Sequence, residues 1–216
     1  MRRLVKLAAP MYLTDNADRL VAEYATKTAS GLKSTPWQHS EIRERLYEET
    51  SGRCAYCDST MRVVAYEHIE HIEPKSRHPE KVVSWSNLTI ACPRCNINKG
   101  GFCNHETPLV NPYLDNPDDH LVFLGPLVFA RPGNDRGVVT VARLKLSRAE
   151  LTDARIRRIE FFESLIDRWK RAANEDIREA LAEIIRAELA DGEYRKSVEA
   201  FLVAVDFPVD VREDAA

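Results

Sequence analysis

Two Cys-x-x-Cys pairs are the strongest chemical signal in this 216-residue sequence. The first pair is Cys54 and Cys57, and the second is Cys92 and Cys95. Together they supply four thiolates at the spacing of a tetrahedral zinc site. The odd total of five cysteines argues against a disulfide framework, and polar neighbours such as Arg53 argue against a reduced core of buried thiols. The sequence therefore predicts a structural Zn²⁺ ion held by all four side chains.

A segment of 34 residues separates the two pairs, which is longer than the ~15–20-residue spacer of a simple zinc ribbon. Within it, residues 67–73 read EHIEHIE, a composition too polar for a core strand. A histidine with a pKa near neutrality can take a proton from water, and carboxylate or amide oxygens suit Mg²⁺ or Mn²⁺. This insert is therefore the predicted place of hydrolytic or metal chemistry.

Basic residues surround the same cluster. Lys75 and Arg77 lie in a loop that follows Pro74, and Lys99 ends a short helix predicted over 93–99. Positive side chains beside a hydrolytic site suit a phosphate group. We therefore regard Lys75, Arg77 and Lys99 as candidate phosphate-binding residues.

The stretches CAYC, EHIEP, SNLTIACPRCN and NKG resemble the motifs of the HNH endonucleases, which are built on a ββα-metal finger. Glu-His-Ile occurs twice, but only the second copy has proline two residues later, so the resemblance places His71 in the catalytic position. It also implies that Asn87 orients the His71 ring, and that Glu70 and Asn96 bind a catalytic Mg²⁺ or Mn²⁺. The four-cysteine zinc site has a filled coordination sphere, so its role is structural.

The residues of the cluster leave alternatives open. Asn87 is otherwise a plain turn residue, and Asn96 a surface residue of the helix. Glu70 stands where the family usually has aspartate, and an ordinary surface charge is the competing interpretation. His68 is either a partner of the metal site or a surface residue of the strand.

A narrower resemblance is to the HNH proteins encoded beside retrons and in Septu-type anti-phage systems. It rests on EHIEPKS, on Asn111-Pro112-Tyr113 with residues 118–121, and on the run from 144 to 155. In that family an HNH subunit works with an ATPase of the SMC/ABC type, which implies a hetero-oligomer. The sequence lacks a Gly-x-x-x-x-Gly-Lys-Ser/Thr run, so the partner would bind the ATP.

The hydrophobic pattern predicts an α+β fold in which a zinc-stapled ββα-metal finger is flanked by helices before it and by strands and helices after it. We expect helices over 15–29 and 35–50, a strand over 62–66, and a turn with a strand over 86–90. The predicted divisions are an N-terminal helical segment 1–50, the finger 51–103, a β-rich connector 104–145 and a C-terminal helical region 146–216.

Beyond the finger, two or three strands are predicted over 121–130, which contains a Gly-Pro turn, and 138–144. Ser147 begins a capping-box pattern that opens a long helix. Asn174 is the expected cap of the next helix, and Gly192 separates it from the last one.

Composition and charge exclude some classes of protein and suggest a partner. With 44% hydrophobic and 30% charged residues, the chain is neither disordered nor of low complexity. Residues 1–103 carry a net charge of +3 and residues 104–216 a net charge of −6. So small a positive excess argues against tight binding to bare DNA, and the acidic half suits a protein contact.

No apolar run approaches the ~20 residues of a membrane-spanning helix, and we find no secretory signal. We therefore expect a cytoplasmic protein without a membrane partner. The leading hypothesis is a metal-dependent HNH endonuclease that cuts DNA as part of a two-component anti-phage complex. The alternatives are a non-catalytic zinc module that binds nucleic acid or protein, and an HNH nuclease that cuts RNA.

Overall fold

The computed structural model describes residues 1–61 and 67–209, so the strand predicted over 62–66 lies outside the described residues. Within the described part, short sheets and longer helices alternate, which confirms the α+β class. The elements are α1 (Met11–Ala29), α2 (Ser40–Glu49), β1 (His68–His71), β2 (Leu88–Ala91), α3 (Pro93–Lys99), β3 (Leu121–Leu124), β4 (Leu127–Ala130), α4 (Asp135–Leu144), α5 (Ala149–Lys170), α6 (Glu175–Asp191) and α7 (Arg195–Ala204).

The centre of the finger is the antiparallel pair β1–β2 followed directly by α3. Glu70 lies opposite Thr89 in the register of this pair, and His71 lies opposite Leu88. Every residue of β2 is buried, which its apolar sequence Leu-Thr-Ile-Ala explains. The predicted helix over 93–99 is confirmed, and Gly100 ends it with a φ of +52°.

Two N-terminal helices cover one side of the finger. Ile42 and Leu46 of α2 are fully buried and share a core with residues of β2. Both helices were predicted, but their first residues differ from the prediction. Pro10 precedes α1, so the helix begins four residues before the predicted start, and α2 begins only after His39, whose Nδ1 accepts a hydrogen bond from the Glu41 amide at 3.4 Å.

The hairpin predicted over 121–130 is confirmed as β3–β4, but the strand predicted over 138–144 is wrong. That segment belongs to α4, because Asn134 caps the helix by accepting a hydrogen bond from the Gly137 amide at 2.8 Å. Three valines gave the segment its strand propensity, and the cap together with packing against β4 overrides it.

The three C-terminal helices form a second core around residues such as Phe162, Ile185 and Leu202. Asn174 caps α6 as predicted, whereas Ser147 does not cap α5. The Ser147 hydroxyl instead donates to the Val128 carbonyl at 2.6 Å. The division of the chain at residues 50, 103 and 145 stays a prediction.

No helix in residues 1–61 or 67–209 has the length and apolar character needed to cross a membrane.

A buried ion pair joins the start of the chain, the first Cys-x-x-Cys pair and α7. Arg2 donates two hydrogen bonds to the Asp58 carboxylate, at 2.8 and 2.9 Å, and Arg53 lies 3.6 Å from the same group. The backbone amide of Arg195 also donates to Asp58, at 3.0 Å. Asp58 directly follows Cys57 and has a φ of +65°, so this one residue terminates the turn and anchors the C-terminal helices to it.

We expect Asp58→Asn to lower the free energy of unfolding by about 3 kcal/mol, because it removes the carboxylate that the buried Arg2 and Arg53 share. Asparagine keeps the shape of the side chain and tolerates the left-handed backbone. Urea denaturation measures the change. Asp206→Asn is the matched control, since Asp206 also has a positive φ, of 58°, but is exposed. Equal losses in both variants would contradict the structural role of the ion pair.

Candidate functional site

The four paired cysteines converge on one point. Their sulfur atoms all lie within 4.8 Å of one another, and the Sγ atoms of Cys57 and Cys92 are 3.8 Å apart. Tetrahedral zinc with Zn–S bonds of about 2.3 Å requires sulfur atoms about 3.8 Å apart. The donor set and its spacing therefore fit zinc, and the predicted convergence of the four cysteines in the finger is confirmed.

Residues of the downstream run 144–155 pack against this cluster. Arg148 directs Nη1 to the sulfur of Cys95 at 3.8 Å. Burial lowers the pKa of Arg148, but the Cys95 and Cys57 thiolates outweigh that effect and raise it overall. Arg155 is buried nearby and donates to the Leu146 carbonyl at 2.8 Å. The positive charges partly offset the negative charge of four thiolates around a divalent ion.

His71 is buried at the end of β1, with a ring held on two sides. Its Nε2 donates to the Val82 carbonyl at 2.8 Å, and its edge meets the Trp37 ring at a centroid distance of 4.8 Å. Because a carbonyl can only accept, Nε2 carries the proton and Nδ1 is the free base. Burial lowers the pKa of His71 to about 4, so the imidazole is neutral and Nδ1 is unprotonated at neutral pH.

Glu70 and Lys99 form a buried ion pair beside His71. The Nζ atom of Lys99 lies 2.6 Å from Oε1 of Glu70 and donates to the His71 carbonyl at 2.7 Å. Burial raises the pKa of Glu70, and the positive charge of Lys99 opposes that rise. Both side chains are about 95% removed from solvent, so Lys99 acts first as the counter-charge of Glu70. Its role as a phosphate ligand stays a prediction.

Asn87 braces the loop that follows β1. Its Oδ1 accepts from the Glu73 amide at 2.7 Å, and its Nδ2 donates to the carbonyls of Glu73 and Lys81 at 3.1 and 3.2 Å. Within the described part of the chain, none of these bonds reaches the His71 ring. Val82, whose carbonyl accepts from that ring, directly follows Lys81, so the backbone of the loop links Asn87 to His71. The role of Asn87 in orienting the ring stays a prediction.

Asn96 of α3 and His68 of β1 are hydrogen-bonded to each other. Nδ2 of Asn96 donates to Nδ1 of His68 at 2.9 Å. Side chains alternate along a strand, so His68 shares a strand face with Glu70. This contact supports the interpretation of His68 as a partner of the metal site.

A cleft of about 810 Å³ brings most of the predicted residues together. Arg77 is exposed on the neighbouring loop and does not line the cleft. Sequence reasoning missed the Val82 carbonyl, since a backbone acceptor leaves no residue signature. The predicted residues that line the cleft are Glu70, His71, Lys75, Asn96 and Lys99.

Comparison with known proteins agrees with the motifs. Residues 54–102 match the family model of the HNH endonucleases. A Septu protein PtuB from Bacillus thuringiensis is 30% identical over 140 residues, which cover 63% of this chain and 53% of that protein. A Septu protein PtuB from Bacillus mycoides (strain KBAB4) is 28% identical over 150 residues, covering 55% and 51%. The predicted resemblance is confirmed, and the chain spans about half the length of these relatives.

Metal removal should unfold the finger. We expect a strong chelator under reducing conditions to abolish cooperative thermal unfolding of the finger, because the four cysteines, three of them buried, lose the ion that joins them. Adding Zn²⁺ should restore the transition, whereas Mg²⁺, which prefers oxygen ligands, should not. Differential scanning calorimetry measures both. An unchanged transition after verified metal loss would contradict a structural ion.

Asn87→Ala should destabilise the protein by about 2 kcal/mol, because it removes the partners of three backbone groups in a partly buried loop. Hydrogen exchange should localise the loosening to residues 73–82. Asn98→Ala is the matched control, since Asn98 makes one long bond, of 3.3 Å, to the Leu144 carbonyl. Loosening spread evenly over the chain would contradict the bracing role.

Proposed function

We propose that this chain is a metal-dependent nuclease of the HNH type that hydrolyses phosphodiester bonds of DNA. The observation that carries the proposal is the neutral, buried His71 beside Glu70 in an open cleft, inside the stretch that matches the HNH endonucleases. A binding surface has no need of a proton acceptor held so firmly next to a carboxylate.

In the proposed reaction His71 is the general base. Its Nδ1 takes a proton from the water that attacks the phosphorus, while the Val82 carbonyl holds Nε2–H and fixes the ring. As the water oxygen bonds to phosphorus, the bond from phosphorus to the leaving oxygen breaks, and solvent water would protonate that oxygen. The buried imidazolium then releases its proton to solvent, because burial disfavours its charge. Asn87 acts as a positioning residue, since it supports the loop that carries Val82.

The proposed ligands of a catalytic Mg²⁺ or Mn²⁺ are Glu70 and Asn96, with His68 as a neighbour bonded to Asn96. Carboxylate and amide oxygens fit a hard divalent ion. When bound, the ion would supply charge neutralisation at the phosphate and polarise its oxygen. Exposed Lys75 and Arg77 would contact the flanking phosphates, and Lys99 would keep Glu70 ionised.

We further propose that the chain is the nuclease subunit of a two-component anti-phage complex, working with an SMC/ABC-type ATPase as in Septu or retron-associated systems. The similarity to two Septu proteins supports this assignment. The net charge of +3 over residues 1–103 is too small for tight binding to DNA, so a partner would supply the remaining DNA-binding surface. Such a complex would work in the cytoplasm, where the cysteines stay reduced.

A second candidate function is a non-catalytic zinc module that binds nucleic acid or protein. The ion pair of Glu70 with Lys99 favours it, because the carboxylate already has a positive partner. A nuclease that cuts RNA fits the same cleft, because the phosphodiester linkage is common to DNA and RNA.

His71→Ala should reduce cleavage by about 10²–10⁴-fold, because it removes the base without touching the zinc ligands. Cleavage of plasmid DNA and of a structured RNA, with Mg²⁺ or Mn²⁺, measures the effect and identifies the polymer. Each assay is run with the chain alone and, in parallel, with the product of the neighbouring gene added as the candidate ATPase partner. His39→Asn is the control, since asparagine can also cap α2. Equal cleavage by wild type and His71→Ala would rule out the proposal.

Glu70→Gln should weaken Mn²⁺ binding by at least about tenfold, because an amide carries no charge for the ion. Electron paramagnetic resonance of free Mn²⁺ measures the affinity without any need for cleavage. Glu73→Gln is the control, a half-buried neighbour two residues beyond His71. Unchanged affinity, from protein that keeps its zinc, would favour the non-catalytic module.

A further inference from the structure

Three potential metal ligands meet at a place outside both the four-cysteine cluster and the cleft. His78 belongs to the loop after β1, and Cys103 and His105 belong to the segment after α3. Their ligand atoms lie within 4.8 Å of one another. Nε2 of His78 is 3.8 Å from Sγ of Cys103, and the two imidazole rings are 5.8 Å apart at an interplanar angle of 87°.

The spacing matches a transition-metal site. Zn–N bonds of about 2.0 Å and Zn–S bonds of about 2.3 Å at a tetrahedral angle separate nitrogen and sulfur by about 3.5 Å. The observed 3.8 Å between His78 and Cys103 needs a shift of only a few tenths of an ångström to accept an ion. Cys103 is half-buried and His105 is exposed, so the position is open to solvent from one side.

A carboxylate orients one of the imidazoles for this role. Oε1 of Glu80 lies 3.1 Å from Nδ1 of His78. An ionised carboxylate only accepts, so Nδ1 carries the proton and the lone pair of Nε2 is directed toward Cys103. Histidines that ligate metals commonly make this contact, which fixes the tautomer and raises the basicity of the ring.

We propose that His78, Cys103 and His105 bind a second transition-metal ion. One thiolate and two imidazoles suit zinc and exclude Mg²⁺ and Mn²⁺, which prefer oxygen ligands. Three protein ligands leave a fourth position for water or for a group of a bound partner. The affinity is lower than that of the four-cysteine cluster, because the site has one ligand fewer, carries one thiolate instead of four, and is more exposed.

Such an ion would tie together the two segments that hold the catalytic residues. The loop on one side carries Val82, which fixes the His71 ring, and the segment on the other side follows Lys99, which pairs with Glu70. A bound ion would therefore restrict the distance between the loop after β1 and the segment after α3. This consequence for catalysis rests on the proposed nuclease function, whereas metal binding itself does not.

Metal content of the reconstituted full chain tests the proposal. After equilibration with Zn²⁺ and gel filtration, elemental analysis should find two equivalents in the wild type and in His39→Asn. It should find one equivalent in Cys103→Ala and in His105→Ala. His105 is exposed, so its substitution leaves the fold intact, and the retained equivalent reports that the four-cysteine cluster is filled.

Cobalt provides a second measurement. Stepwise titration with Co²⁺ should show a second, weaker phase of thiolate-to-metal absorption in the wild type, and Cys103→Ala should lack that phase. One equivalent in the wild type, or two in both Cys103→Ala and His105→Ala, would overturn the proposal. Cleavage activity enters neither measurement, so a failure here is distinguishable from a failure of the proposed function.

Discussion

Convergence of four cysteine sulfur atoms at a point that fits zinc is the constraint on which the geometry of the cleft depends. Helix α3 has only seven residues, well below the ~12–15 that an isolated helix needs in water. Its first turn is instead held by Cys92, whose sulfur accepts from the Cys95 amide at 3.4 Å. The opposite pair is tied to β2 by a bond from the Ala55 amide to the Ile90 carbonyl at 3.0 Å. The four-cysteine cluster therefore fixes the position of α3, and with it the positions of Asn96 and Lys99 in the cleft.

Burial of opposite charges is the second constraint. An ion taken from water costs several kcal/mol, and the close pair of Lys99 and Glu70, completed by the His71 carbonyl, offsets that cost. A divalent ion that approaches Glu70 meets a carboxylate oxygen that is already paired. It must bind the second oxygen or displace the ammonium group. Either way, the proposed ion would enter a site whose charge is balanced before it arrives, and this would favour reversible, weak binding over a permanent complex.

Much of this arrangement could be predicted because ligand chemistry leaves residue signatures at fixed spacing. The convergence of the four cysteines and the short helix ended by Gly100 were predicted from residue types and spacing alone. The strand expected over 138–144 was wrong because valine propensity competes with a cap, here Asn134, that is visible in sequence only as one polar residue. The Lys99–Glu70 pair and the cluster around Cys103 could not be predicted, since both join residues that only the packed fold brings together.

In the proposed nuclease site, the loop between β1 and β2 would perform two separate tasks, which are to position the base and to contact the substrate. Backbone groups do the positioning, because Asn87 bonds the amide and carbonyl of Glu73 and the carbonyl of Lys81, and Val82 holds His71 by its carbonyl. Side chains of this loop, such as exposed Lys75, are then free to contact a charged substrate. Positioning that depends on carbonyls tolerates many loop sequences, provided the backbone path is kept. The base can thus stay fixed while the charges that face the substrate change.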